Sequence, residues 1–123
     1  MQVSEVSLDI PGTADFLRLA RLAAADLGSR AGLTYEEIED LRIGVDELCN
    51  AVMRPDGGGR VSLHFTLDSD RLEVAGHGPA VAAGHEDARS ELSKTIVAAV
   101  ADEHEFGRDG DGLRFRLVKH LRR

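Results

Sequence analysis

Asp46, Glu47 and Asn50 bring two carboxylates and an amide within one and a half helical turns, inside the segment Thr34 to Val52, TYEEIEDLRIGVDELCNAV. A carboxylate held on a partly covered helix face can be a general base or orient a water, so chemistry is expected in this segment. Helical phase selects the acid. Ile38, Leu41, Val45, Leu48, Cys49 and Val52 recur at helical spacing and form one apolar stripe. At roughly 100° per residue, Glu47 projects about 150° away from the centre of that stripe. Ile43 and Gly44 lie one turn before it and Asn50 and Ala51 one turn after, so this second face is expected to be partly covered. Glu47 is the candidate catalytic base, with a solvated or paired glutamate as the plain alternative. Gly76 and Gly78 stand at the end of an alternating apolar run, where on the plain reading they supply unusual backbone angles at a strand end.

The elements that must position these residues are legible from period and punctuation. Val6, Leu8 and Ile10 alternate with polar residues and stop at Pro11-Gly12, which predicts a first strand. Thr13 starts a helix with Phe16, Leu19, Ala20, Ala23 and Leu27 as its buried stripe, ended by Gly28 or Gly32. Thr34 with Glu37 is a capping box for the second helix, which Pro55 and Gly57-Gly58-Gly59 terminate. Val61, Leu63, Phe65 and Leu67 predict a strand, Asp68-Ser69-Asp70 its turn, and Leu72, Val74 and Gly76 the partner strand. A third helix runs from near Asp87 or Ser90 to Asp102, with Leu92, Ile96, Val97 and Val100 inward. A last hairpin turns at Asp109-Gly110-Asp111-Gly112, with Leu113, Phe115 and Leu117 facing the core. This order predicts a two-layer α/β sandwich, a mixed sheet with its helices on one face, and a single domain over residues 1–123.

Composition narrows the function. With 42% hydrophobic and 30% charged residues and no apolar run near the length of a membrane span, the chain is expected to be soluble and cytoplasmic. Its first ten residues, MQVSEVSLDI, do not read as a secretory signal. A formal charge of −7 argues against nucleic acid as the main ligand. Lys119, His120, Arg122 and Arg123 read as a solvated basic tail, and Cys49 as a small buried hydrophobe on the core stripe.

The element order, together with FLRLARLAAADLGSRAGLTYEEIEDLRIGVDELCNAV, resembles the anti-sigma regulatory factors of bacteria. These are small serine-protein kinases within the histidine-kinase-like (Bergerat fold, GHKL) ATPases. The resemblance covers nearly the whole chain in layout and is specific over the first two helices. It implies that Glu47 activates the attacking hydroxyl or water and that Asn50 holds magnesium. In the family these stand as Glu-x-x-x-Asn; counted from Glu47 the amide position is Ala51, and Asn50 keeps the spacing only with Asp46. The family's Asp-x-Gly-x-Gly motif, whose aspartate reads the adenine amino group, corresponds to Gly76-His77-Gly78-Pro79-Ala80, so the acceptor is glycine and the second glycine is alanine. His77 is the one residue there able to substitute as acceptor. The glycine-rich phosphate lid corresponds to Gly84-His85-Glu86-Asp87-Ala88-Arg89-Ser90-Glu91-Leu92-Ser93-Lys94, which is short and acidic. Glu86, Asp87 and Glu91 near a helix start repel a triphosphate, and Lys94 is the residue there that could contact a phosphate.

The resemblance therefore implies a degenerate member with no cofactor or only weak ATP and magnesium, whose nucleotide site is reduced to Asn50, Gly76 and Gly78. Two functions compete. One is a transcription regulator that binds a sigma factor or an anti-sigma antagonist, alone or as a homodimer, without phosphorylating anything. The other is an active ATP-dependent serine-protein kinase acting on the antagonist, with Glu47 as base. Arg18 and Arg21, about 60° apart on the first helix, are the candidate partner contacts, against the plain reading of ion pairs with Asp15 or Asp26.

Overall fold

The computed structural model describes residues 3–80 and 88–121, the side chains of residues 88–91 excepted. Strand β1 (Ser4–Pro11) leads through a 3₁₀ turn (Ala14–Phe16) into helices α1 (Leu17–Arg30) and α2 (Tyr35–Val52). Strands β2 (Arg60–Leu67) and β3 (Arg71–Gly78), helix α3 (Ala88–Val100), and strands β4 (Glu103–Asp109) and β5 (Gly112–His120) follow. The five strands form one sheet in the order β1-β2-β3-β5-β4. The expected order of elements and the two-layer α/β sandwich are observed. The sheet was expected to be mixed, but every pairing in it is antiparallel. Helix parity is the reason. Two helices between β1 and β2 return the chain to the end it left, so β2 runs back along β1, whereas the single helix α3 carries the chain past β5 to the far edge and leaves β4 running the same way as β3.

Local chemistry fixes the ends of α1 and α2. Thr34 Oγ1 accepts from the Glu37 N–H at 3.2 Å and Glu37 Oε1 accepts from the Thr34 N–H at 2.9 Å, which is the full capping box. Helix α1 ends at Gly32, φ +83°, where the Leu33 N–H reaches the Gly28 carbonyl at 3.1 Å and the Gly32 N–H reaches Ser29 at 3.1 Å. Gly28 itself lies against α2: a Cβ there would meet Ile38 Cγ1 at 3.2 Å. Gly44 brings α2 down onto β5, since its Cβ would stand 2.5 Å from Leu117 Cδ1. Asp68 Oδ1 accepts from the N–H groups of Asp70 and Arg71 and closes the β2–β3 turn.

The core lies between the helices and one face of the sheet. Leu27, Leu41, Val45, Leu48, Val52, Leu63, Phe65, Val74, Phe115 and Leu117 are buried there as expected. Three expectations about phase are corrected. Phe16 and Leu19 are 40% and 47% exposed, because the 3₁₀ turn, at three residues per turn, shifts the phase where α1 begins; α1 buries Leu17 and Ala24 in their place, together with the expected Ala20 and Leu27. Leu92 is 60% exposed and Ile96 and Val100 are half-buried; of the expected stripe only Val97 is fully buried, and Ser93 rather than Leu92 turns toward Glu47 of α2. Lys119 belongs to no solvated tail. It continues the inward alternation of Leu113, Phe115 and Leu117, is 7% exposed, and its Nζ donates to the Val100 carbonyl at 3.1 Å, meeting an orphan acceptor at the end of α3. Arg122, Arg123 and the lid residues Gly84 to Asp87 lie outside the described residues.

Candidate functional site

Helix α2 lies between α1 and α3, and its two central acids are divided between them. Asp46 and Glu47 are neighbours, so their side chains leave the helix roughly 100° apart. Asp46 turns to α1, where Arg21 Nη1 donates to its Oδ1 at 2.6 Å, both side chains about a third exposed. Glu47 turns to α3, where the Ser93 hydroxyl donates to its Oε2 at 2.7 Å. Both acids are half-buried. The partly covered second face is thus present, made by Gly44 and α3 on one side, while Ile43 stays exposed. Neither Ser93 nor the Arg21 pairing was foreseen. The signal for Ser93 was its place one turn before Val97 and two before Val100; that for Arg21 was an acid on the α2 flank facing it.

Asn50 is brought next to Asp46, not Glu47. Its Nδ2 donates to the Asp46 carbonyl at 2.9 Å, an i to i−4 bond along the helix. Asp46 and Asn50 share one side of α2 about 40° apart, but the guanidinium of Arg21 already occupies that side. A divalent cation placed there would face a resident positive charge.

Gly76 and Gly78 point toward the helices and are buried. A Cβ at Gly76 would lie 2.6 Å from the Phe115 ring and 2.7 Å from Leu63 Cδ2, so the position where the family carries its adenine-reading aspartate is filled by core side chains. At Gly78 a Cβ would lie 2.5 Å from the Val52 carbonyl oxygen, which also accepts from the Ala80 N–H at 3.0 Å. Both glycines therefore serve close packing of β3 against β5 and the end of α2. His77, on the alternate face, is exposed on the side of the sheet away from the helices and cannot replace the missing acceptor. Among the described residues no group of three or more His, Cys, Asp or Glu is placed to hold a metal ion. At Gly76 the packing leaves no room for an adenine-reading side chain.

Of the two candidate partner contacts, Arg18 is exposed on α1 and Arg21 is committed to Asp46. The expected alternatives, Asp15 and Asp26, do not take Arg21: Asp26 pairs with Arg30 at 2.6 Å. Exposed Leu19 and Leu22 flank Arg18 along the same helix. Cys49 is fully buried, and burial, reinforced by the negative charge of Asp46, pushes its thiol up to about 12. Among the described residues no helix is long and apolar enough to cross a membrane.

No family model matches the chain. Over 73 residues it is 41% identical to a protein of Bacillus subtilis (strain 168) named serine-protein kinase RsbW, a match covering 56% of this chain and 46% of that protein. The chain is similar to serine-protein kinases. A protein of the same name from Bacillus velezensis is 40% identical over 76 residues, 58% of this chain and 48% of the relative. One from Halalkalibacterium halodurans is 35% identical over 75 residues, covering 59% and 46%. The resemblance drawn from the first two helices therefore holds. The chain spans about half the length of the curated relatives it matches.

Proposed function

We propose that this chain is a cytoplasmic regulatory module of the anti-sigma type that binds a sigma factor or an anti-sigma antagonist and has lost the nucleotide chemistry of its serine-kinase relatives. The observation that carries this reading is the packing at Gly76, where Phe115 and Leu63 leave no room for the side chain that would read adenine. Leaving that ligand donor buried and unpaired costs on the order of 1 to 3 kcal/mol of affinity. Arg21 on Asp46 adds to it, because a guanidinium stands where the magnesium amide would need a second acid. The partner surface is the exposed flank of α1 around Arg18, with Leu19 and Leu22 beside it. An arginine between apolar side chains suits a partner helix that presents acids along an apolar ridge.

Calorimetry with ATP and magnesium tests the nucleotide half. No saturable heat at tens of micromolar protein is the expected result. Micromolar binding abolished by Glu47→Ala or Asn50→Ala would overturn it in favour of the active kinase, for which the hydroxyl already resting on Glu47 is the supporting observation. The partner half is tested by co-purification from the native cell, followed by Arg18→Ala. That substitution should weaken partner binding by about 1 to 2 kcal/mol without moving the melting temperature. Arg21→Ala is a poorer probe, because removing it also strands Asp46.

A further inference from the structure

Ser7, His64 and Glu5 form a hydrogen-bonded relay on the face of the sheet that the helices leave uncovered. Ser7 and His64 stand directly opposite each other across β1 and β2, and Ser7 Oγ lies 3.0 Å from His64 Nδ1. The other ring nitrogen, His64 Nε2, lies 2.9 Å from Glu5 Oε1. An ionised carboxylate only accepts, so when the ring is neutral Nε2 carries its proton, Nδ1 is the bare nitrogen, and the Ser7 hydroxyl is the donor to it. A serine on a basic nitrogen, with the ring fixed by an acid, is the arrangement that activates a nucleophile. The two ring nitrogens exchange the roles they hold in the usual serine–histidine–acid relay, and the chemistry is the same.

Two further features make a site of it. β1 is at the edge of the sheet, so alternate N–H groups along it have no strand to bond, and either Ser7 or Leu8 presents one beside the nucleophile. The trough that Ser7 and His64 line, about 440 Å³, continues over Ser62 to His77 and Arg114, which are cross-strand partners. Neither His77 nor Arg114 has a hydrogen bond or ion pair to a described residue, whereas the nearby Arg60 is held by Asp9 and Arg116 by Glu73. They lie two and three strands from Ser7, roughly 10 to 15 Å away at strand spacing.

We propose that this face is an acyl-transfer site, in which Ser7 is the nucleophile, His64 the general base and Glu5 its orienting acid, acting on short-chain carboxylic esters whose alcohol portion carries an acidic group. Ser7 Oγ bonds to the ester carbonyl carbon as its proton passes to His64 Nδ1. The bond to the leaving oxygen breaks, and that oxygen takes the proton from Nδ1. Water then attacks the acyl-serine, gives its proton to Nδ1, and releases the carboxylic acid while Ser7 Oγ regains a proton. Arg114 and His77 hold the acidic end of the ester.

The test uses the whole chain with a fluorophosphonate probe and two acetate esters, the neutral 4-nitrophenyl acetate and the anionic 4-acetoxybenzoate. The expected result is covalent labelling at Ser7, lost in Ser7→Ala and His64→Gln, with ester hydrolysis falling at least roughly tenfold in both. Arg114→Ala should raise KM for the anionic ester alone. All three side chains are exposed, so circular dichroism and melting should be unchanged in these variants. A wild-type chain that is not labelled at Ser7, or a Ser7→Ala variant that hydrolyses either ester as fast, would overturn the proposal. An Arg114→Ala variant with both KM values unchanged would overturn the assignment of substrate class.

Discussion

Gly76 decides more than any other residue, because it separates two explanations of a lost motif. A glycine in open space would be a simple deletion that aspartate restores, whereas this one is enclosed by Phe115 and Leu63. Gly76→Ala should therefore cost about 1 to 3 kcal/mol by overpacking, read as a shift in the urea midpoint. Gly76→Asp should cost more, since it also buries a carboxylate, and should recover no ATP binding. Cys49 gives a simpler expectation. With its thiol held at about 12 behind the α1–α2 interface, it should be silent to a thiol reagent at neutral pH and react on unfolding. Two surface carboxylates set the acid limb. The N–H groups of Asp70 and Arg71 hold Asp68 below the usual carboxylate value, and the hydrogen bond from His120 does the same for Glu103. A lowered folded value means that their contribution is complete above the unfolded value near 4 and is lost as pH falls through the folded one. Asp68→Ala should accordingly flatten the fall in urea midpoint below about pH 4.

At the scale of elements, period and punctuation carried the sequence most of the way, and where they did not, the cause was contact between elements. The capping box of α2, the Asp68 turn and the β4–β5 hairpin at Gly110 are local, and local chemistry is written locally. The phase at the start of α1 was not legible, because the 3₁₀ turn at Ala14 to Phe16 changes the residues per turn just before it begins, although Ala20 and Leu27 are buried as expected. The phase of α3 was lost differently: Ser93 faces inward because Glu47 waits for it on another helix. Glu47, Asn50 and Gly76 were singled out by type and spacing; Asn50 bonds locally, to the Asp46 carbonyl of its own helix, but what Glu47 and Gly76 touch is tertiary. Central packing of α2 has an energetic consequence. Leu48 lies in the buried stripe, and Leu48→Ala should destabilise by roughly 2 to 5 kcal/mol in chemical denaturation. Ser93→Ala should cost far less and should show instead as faster hydrogen exchange in the middle of α3, where one hydroxyl ties the helix to Glu47.

For the molecule as a whole, one layer of helices over one face of a sheet leaves a second face with its own chemistry, so the two proposed functions occupy opposite sides and separate mutations address them. The same topology also governs how the chain reaches its native state. Strands β2 and β3, and β4 and β5, pair across tight turns, whereas Ile10 must find Val61 across the whole α1–α2 hairpin. Closing that loop brings a larger entropy loss than either local hairpin, so β1 is expected to join the sheet after the folding barrier has been crossed. Ile10→Val should then accelerate unfolding in a stopped-flow experiment and leave the refolding rate nearly unchanged, marking β1 as the strand that arrives last and departs first.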